Sequence, residues 1–456
     1  MIDWFLALII LVPAVMLFLS RSFYLLDYLI FISVFNRGIR RYVDWLQGEF
    51  NPFSPISLTP LVISGLIFLV VLQNAGQFSD KVSRILQMFA IAIGLGFAIG
   101  FLSNGLAAVY ALAEYVAPVS VIGFAAMAGG NEQVLDRWVK SVGWAATLAC
   151  AYGWYQYYTI PEWDAFWVRA VGFEGYLGNL KPTEMVVFST MAERGPFAGF
   201  ISFAVIPMIL SRRWRNQLGW LAVALIFATI LLTFVRTAII TVALATLVYP
   251  LLNRGKNTMQ IMIALAVVAI GLPLFMNALP SSEKIDERLD TLQSITEDGS
   301  FTGRIDIAAY GIGAVLRNPL GSGLGSTGLA GRVNTGGLDS QAVIGDNGYL
   351  EILLTFGWIG SACFFYGLAL IWINLRDLEK SGHRSDAIMM SKALMVTGAV
   401  VLMVGNWLVG PGAIVFCLFV GYAMVPGNKL EELRRLLMAL AIIEAQESDT
   451  ATPQPS

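Results

Sequence analysis

Apolar stretches long enough to cross a bilayer recur from one end of the chain to the other, joined mostly by short polar connections. A bilayer core about 30 Å thick takes about 20 apolar residues per helix. Segments of that kind fall at roughly 2–19, 23–36, 58–73, 85–103, 106–128, 141–158, 196–210, 218–235, 237–252, 259–279, 349–373, 390–409 and 411–425. That is thirteen, or twelve if 23–36, which is short and carries Asp27, is not a span. Strand-like alternation is missing. The pattern therefore specifies an all-α integral membrane protein with about 12–13 transmembrane helices, and not a barrel. Composition agrees: 57% of the 456 residues are apolar and 13% charged, too little charge to cover a soluble protein of this length.

Several chemistries are excluded at once. A net charge of −2 implies no nucleic-acid partner. Cys150, Cys363 and Cys417 lie inside apolar segments and read as small core residues. His383 is the single histidine, so a zinc site built on histidines is excluded, as is a His-based triad unless His383 supplies it. No Walker A, dinucleotide fingerprint, DxD or Ser-His-Asp order occurs, and neither cofactor nor metal is expected. The N-terminus has no basic n-region and no cleavage site, and reads as a first transmembrane helix that is retained.

The longest run without a membrane-length apolar segment is 280–345. It holds twelve glycines, five bases (Lys284, Arg288, Arg304, Arg317 and Arg332) and eight carboxylates. This divides the chain into a transmembrane region 1–279 with an outer loop 159–195, the large loop 280–345, C-terminal transmembrane helices 346–427, and a tail 428–456. The tail is expected to be an amphipathic helix on the cytoplasmic face followed by a disordered end. Basic clusters at Arg212/Arg213/Arg215, Arg254/Lys256, Arg376/Lys380/Arg384/Lys392 and Lys429/Arg434/Arg435 are separated by even numbers of spans, so all can be cytoplasmic. The loops 280–345 and 159–195 then lie outside. Arg37, Arg40 and Arg41 also count as outside, against the positive-inside rule. Either a span is miscounted, or 37–50 is an amphipathic segment on the outer interface.

Four groups of residues are candidates for chemistry. Arg236 sits at the midpoint of the apolar run 218–252, where a charge is either functional or a snorkelling arginine at a hairpin tip. Arg288, Arg304 and Arg317 are placed to bind a phosphate ligand, or to pair with loop carboxylates, Asp306 among them. Asp346, where the loop re-enters the membrane, suits a helix N-cap, a general base, or both. Glu351 follows unexpectedly deep in the next helix. Glu193 and Arg194, at the outer start of a span, form an ion pair or extend the site.

Taken in order, these residues resemble the O-antigen ligase and Wzy-type O-antigen and exopolysaccharide polymerase superfamily over roughly 185–365. The likeness rests on Ser189-Thr190 with Phe197-Ala198, Arg236-Thr237-Ala238, Arg288, Arg304, the run Asn318-Pro319-Leu320-Gly321-Ser322-Gly323-Leu324-Gly325, and Asp346-Asn347-Gly348-Tyr349-Leu350 with Gly357 and Gly360. The resemblance implies a GT-C-like membrane glycosyltransferase with an outward-facing site in the bacterial inner membrane. It would use undecaprenyl-diphosphate-linked oligosaccharide as donor, without metal or nucleotide. A chain-length regulator and export proteins are implied as partners. Asp346, Arg236 and Arg304 would be catalytic, and Arg288, Arg317, Arg194, Asn347 and Tyr349 would bind diphosphate or glycan. Aromatics of 159–195 (Trp163, Phe166, Trp167, Phe173 and Tyr176) would stack on sugars. O-antigen ligases carry histidine where Asp346 stands, which favours a polymerase over a ligase. A transporter or flippase of the same lipid-linked oligosaccharides is the rival of another class, although carriers bind near the midplane.

Overall fold

The computed structural model describes residues 2–51, 54–174, 177–252, 311–328 and 347–424. Among them the regular structure is helical, with one isolated bridge, Gly178 to Met185, and no strand. In chain order the helices are α1 (Ile2–Leu19), α2 (Tyr24–Gln47), α3 (Thr59–Gln73), α4 (Asp80–Asn104), α5 (Leu106–Ala126), α6 (Glu132–Thr159) and α7 (Glu162–Ala170). They continue with α8 (Arg194–Leu210), α9 (Arg212–Leu218), α10 (Trp220–Leu232), α11 (Arg236–Leu252), α12 (Gly348–Lys380), α13 (Asp386–Val401) and α14 (Gly410–Ala423). The chain is an all-α integral membrane protein.

Five of the described helices are long and apolar enough to cross a membrane, six if α8 and α9, bent by 113° at their junction, form one span. The sequence pattern is more generous, for two physical reasons. α10, α11 and α14 are apolar but short, at 13, 17 and 14 residues. α2 carries Asp27, Arg37, Arg40, Arg41 and Asp44, which a helix tolerates inside a bundle when neighbours supply partners. The expected helix 259–279 and the tail helix lie outside the described residues.

Short connections make successive helices alternate in direction, so the bundle has two ends. One, the loop end, carries the 160–193 connection and the starts of α8, α11, α12 and α14. The other, the basic end, carries Arg212, Arg213, Arg215 and Lys380. There Arg213 pairs with Asp136 and Glu132, and Lys81 with Asp377, tying α9 to α6 and α4 to α12. The cysteines are free thiols, Cys150 and Cys417 buried and Cys363 partly so. α1 exposes Trp4, Phe5, Leu8, Val12, Met16 and Leu19, the apolar outer surface expected of a helix facing lipid.

The N-terminal region corrects one expectation. Residues 37–47 are not a separate interfacial segment. α2 runs unbroken to Gln47 and stops at Gly48, whose φ of 70° lets its N–H return to Asp44 O and Trp45 O.

The root of the large loop is held by backbone contacts. Pro319–Gly325 lies between α4 and α12. Ser322 N–H donates to Leu354 O at 2.7 Å, Gly323 N–H to Thr355 O at 3.0 Å, and Leu324 N–H to Gly96 O at 2.8 Å. α12 opens to receive it: Gly357 takes φ 63°, ψ −167°, and Trp358 N–H turns to Pro319 O at 2.8 Å. Asn104 adds its amide to Ser322 O and Leu324 O. Only glycine permits this closeness. A Cβ on Gly323 would stand 2.1 Å from Gly100 N, and one on Gly100 would stand 2.3 Å from Leu324 O.

Gly323→Ala should therefore cost at least about 3 kcal/mol of stability. Gly313→Ala, whose Cβ meets nothing within 4 Å, should change it by no more than about 1 kcal/mol. Thermal unfolding in detergent, followed by tryptophan fluorescence, checks the pair; equal midpoints would refute the wedge.

Candidate active site

At the loop end the chain from α7 to α8 is clamped to α2 and α6 by a buried ion pair. Arg41, 1% exposed, and Asp164, fully buried, approach to 2.9 Å. Arg41 also donates to Met191 O at 2.6 Å and to Ser189 O. Asp164 accepts from Gln156 Nε2 at 2.6 Å and Tyr152 Oη at 2.8 Å. Burial pushes the Asp164 carboxyl above the ordinary aspartate range; the Arg41 guanidinium and the two hydrogen bonds pull the other way. Gln156 completes the clamp by accepting from Phe188 N and Ser189 N. Thr190 Oγ1 donates to Val34 O at 2.8 Å, against Gly38 of α2. Ser189 and Thr190 thus set where Glu193 and Arg194 begin α8.

Three of the aromatics expected to stack on sugars, Trp163, Trp167 and Phe173, pack against other rings of the protein. Trp167, Phe173 and Phe188 pack with Val168, Leu177 and Met185 into a separate core inside the connection. Trp163 packs against Tyr42 and Trp45. Phe166 is partly buried, and Tyr176 lies outside the described residues.

Deeper in the bundle a polar network joins α2, α5, α12 and the α13–α14 connection. Arg37 Nη2 donates to Tyr110 Oη at 2.9 Å, and Glu114 stands one turn along α5 from Tyr110, on the same face of the helix. Arg37 also lies in the field of Glu193. Beside Glu114, Tyr115 Oη accepts from Asn406 Nδ2 at 3.0 Å, and the same amide donates to Glu351 Oε1 at 3.1 Å. Glu351 is buried, and the depth that made it unexpected is answered by the Asn406 amide, which is itself held by Tyr115. Arg37, Tyr110, Glu114, Glu193, Arg194, Arg236 and Asn406 all remain partly accessible.

Of the residues expected from the sequence, Arg194 opens α8 and Arg236 opens α11. These helices pack together and begin at the same end. Arg236 follows a three-residue turn in which Phe234 takes φ 51° and Thr233 Oγ1 accepts from Val235 N. Arg317 is exposed beside the glycine wedge. Asn347 caps α12: its Oδ1 accepts from Tyr349 N and Leu350 N, the position that Asp346 was expected to fill. Tyr349 Oη donates to Ala399 O at 2.7 Å, fastening α12 to α13. Arg288, Arg304 and Asp346 lie outside the described residues. No three His, Cys, Asp or Glu side chains gather as a metal set among the described residues.

Sequence reasoning did not single out Arg37, Tyr110, Glu114, Tyr115, Asn406, or the pair Arg41–Asp164 as site residues. Two signals pointed toward them. The arginines of α2 defied the positive-inside rule, and Glu114 is the one carboxylate within the apolar helix α5.

Residues 221–365 match a family model described as O-antigen ligase. The match includes Arg236, the glycine wedge and the start of α12, but neither Arg194 nor the α2–α5 cluster. No curated protein matches the chain.

Breaking the Arg41–Asp164 pair leaves one charge buried alone, at a cost of about 3–5 kcal/mol. Asp164→Ala should accordingly expose the 160–193 connection to limited proteolysis well below the unfolding temperature. Equal cleavage rates in variant and parent would refute the clamp.

Proposed function

We propose that this chain, a member of the O-antigen ligase and Wzy-type superfamily, is a membrane glycosyltransferase that polymerises polyprenyl-diphosphate-linked repeat units at the outer face of the bacterial cytoplasmic membrane. The observation that supports the reading is that Arg194 and Arg236 each open one of two packed helices that begin at the same end. The diphosphate is the leaving group, and its charge grows as the glycosidic bond breaks. Guanidinium groups and helix N-termini favour that charge where it develops. The basic end then faces the cytoplasm and the loop end faces outward. Nucleotide donors are scarce there, whereas a lipid-linked donor reaches the site through the bilayer.

In the transfer the acceptor hydroxyl of one glycan attacks the anomeric carbon of another. Arg236 and Arg304 hold and neutralise the diphosphate, with Arg194, Arg288 and Arg317 extending the cationic wall. Asp346 takes the hydroxyl proton or orients the acceptor, and Asn347 and Tyr349 hold its segment against α12 and α13. The aspartate at 346, where ligases carry histidine, favours chain growth over transfer to a single terminal acceptor. A chain-length regulator and export proteins would act on the product. No residue set for a cofactor or metal is invoked.

The test is reconstitution of the full chain in liposomes with undecaprenyl-diphosphate-linked repeat units. A ladder of growing glycans supports polymerisation. A single addition to a glycolipid acceptor would instead make the protein a ligase, and movement of the lipid without a new glycosidic bond would make it a transporter. Arg236→Ala and Arg304→Ala should each lower transfer at least about 100-fold while the protein still accumulates in the membrane; a normal ladder from either would refute its role. Asp346→Asn, which keeps shape and removes charge, should lower turnover at least about 10-fold. A fully active Asp346→Asn variant would remove that carboxylate from the chemistry.

A further inference from the structure

We infer that the N-terminal half of the bundle, outside the segment that matches the family model, builds the acceptor side of the site, with Glu114 as the group that receives the proton of the attacking hydroxyl. This rests on the glycosyl-transfer reading and assigns the proton to Glu114, leaving Asp346 the orientation of the acceptor. Glu114 lies eight residues into α5 from the loop end, about 12 Å down the helix at about 1.5 Å per residue. Arg37 lies ten residues back from the loop end of α2, at a similar depth. Thr190, on Val34 O and against Gly38, brings Glu193 and Arg194 down to the same level. The donor-side arginine Arg194 and the acceptor-side carboxylate are thus assigned to the same level of the bundle.

The chemistry of the cluster fits a sugar hydroxyl. Tyr110 Oη accepts from Arg37 Nη2 at 2.9 Å, and Glu114 follows one turn along α5 on the same face. Arg37 thus fixes the phenol beside the carboxylate, which stays partly accessible. A carboxylate held from one side and open on another can accept a hydrogen bond from an incoming hydroxyl. An ionisable side chain kept within an apolar helix is costly, and such groups mark substrate or proton paths. The step balances. The acceptor oxygen forms a bond to the anomeric carbon, and the bond from that carbon to the diphosphate oxygen breaks with its electron pair. The hydroxyl proton passes to the Glu114 carboxylate and then to water.

The experiment uses the full chain in liposomes, undecaprenyl-diphosphate-linked repeat as donor, and the free repeat oligosaccharide in excess as acceptor, so that the two KM values separate. Glu114→Gln should lower kcat about 100-fold, leave the donor KM within about twofold, and remove the acidic limb of the pH–rate profile. Glu114→Asp should restore part of the rate. An unchanged kcat and profile for Glu114→Gln would overturn the assignment, as would a parallel fall in donor affinity and thermal stability. If Glu114→Gln does not accumulate, Tyr110→Phe decides: a rate loss of about 10-fold with a displaced acidic limb supports the role, and an unchanged profile overturns it. A wild-type chain that transfers no glycan at all would sink the enzymatic reading itself, which these variant comparisons leave separate.

Discussion

The arrangement depends on close approach of two backbones inside an apolar bundle. Pro319–Gly325 enters between α4 and α12 as irregular chain, and irregular chain at that depth must find partners for its amides within the protein. It does so on Leu354 O, Thr355 O and Gly96 O, because glycines at 100, 323 and 357 remove the side chains that would hold the backbones apart. The kink at Gly357 is the counterpart on α12. Through this seam the large loop is rooted beside the first turn of α12, where Asn347 caps the helix, Tyr349 reaches Ala399 O and Glu351 accepts from Asn406.

Charge follows the same logic. Arg41 and Asp164 are buried together, with carbonyls, an amide and a phenol completing their coordination, so that the pair orders a connection whose backbone carries Glu193 and Arg194 to depth. The Arg37–Tyr110–Glu114 cluster is less enclosed. The first is built as a staple and the second keeps its side chains partly accessible, although the two arginines lie one turn apart on α2. Reactivity here is divided by burial more than by residue type.

Helix positions were largely legible in the sequence, because length and hydropathy are local properties. Leu106–Ala126 and Arg194–Leu210 fall within two residues of the expected spans. α2 and α6 were harder: their charged turns look like loop until the partners on other helices are known. The glycine run was legible as a motif but not as a wedge, since its purpose lies on Gly100 and Gly357, more than thirty residues away on one side and two hundred on the other. The aromatic connection was misread for a related reason. Trp167 and Phe173 look available for stacking in a polar loop, and only the fold shows that they form its core.

By itself the sequence determined the membrane class, the helical architecture, the basic end and the likeness of residues 221–365 to the O-antigen ligase family model, because apolar length, loop charge and short motifs are written along the chain. Tertiary structure alone decided which charges are staples and which remain accessible, that Asn347 and not its neighbour caps α12, and that Arg37 of α2 reaches Tyr110 of α5. Those outcomes turn on contacts between residues far apart in the chain, where the energy of a buried charge depends on what stands across from it.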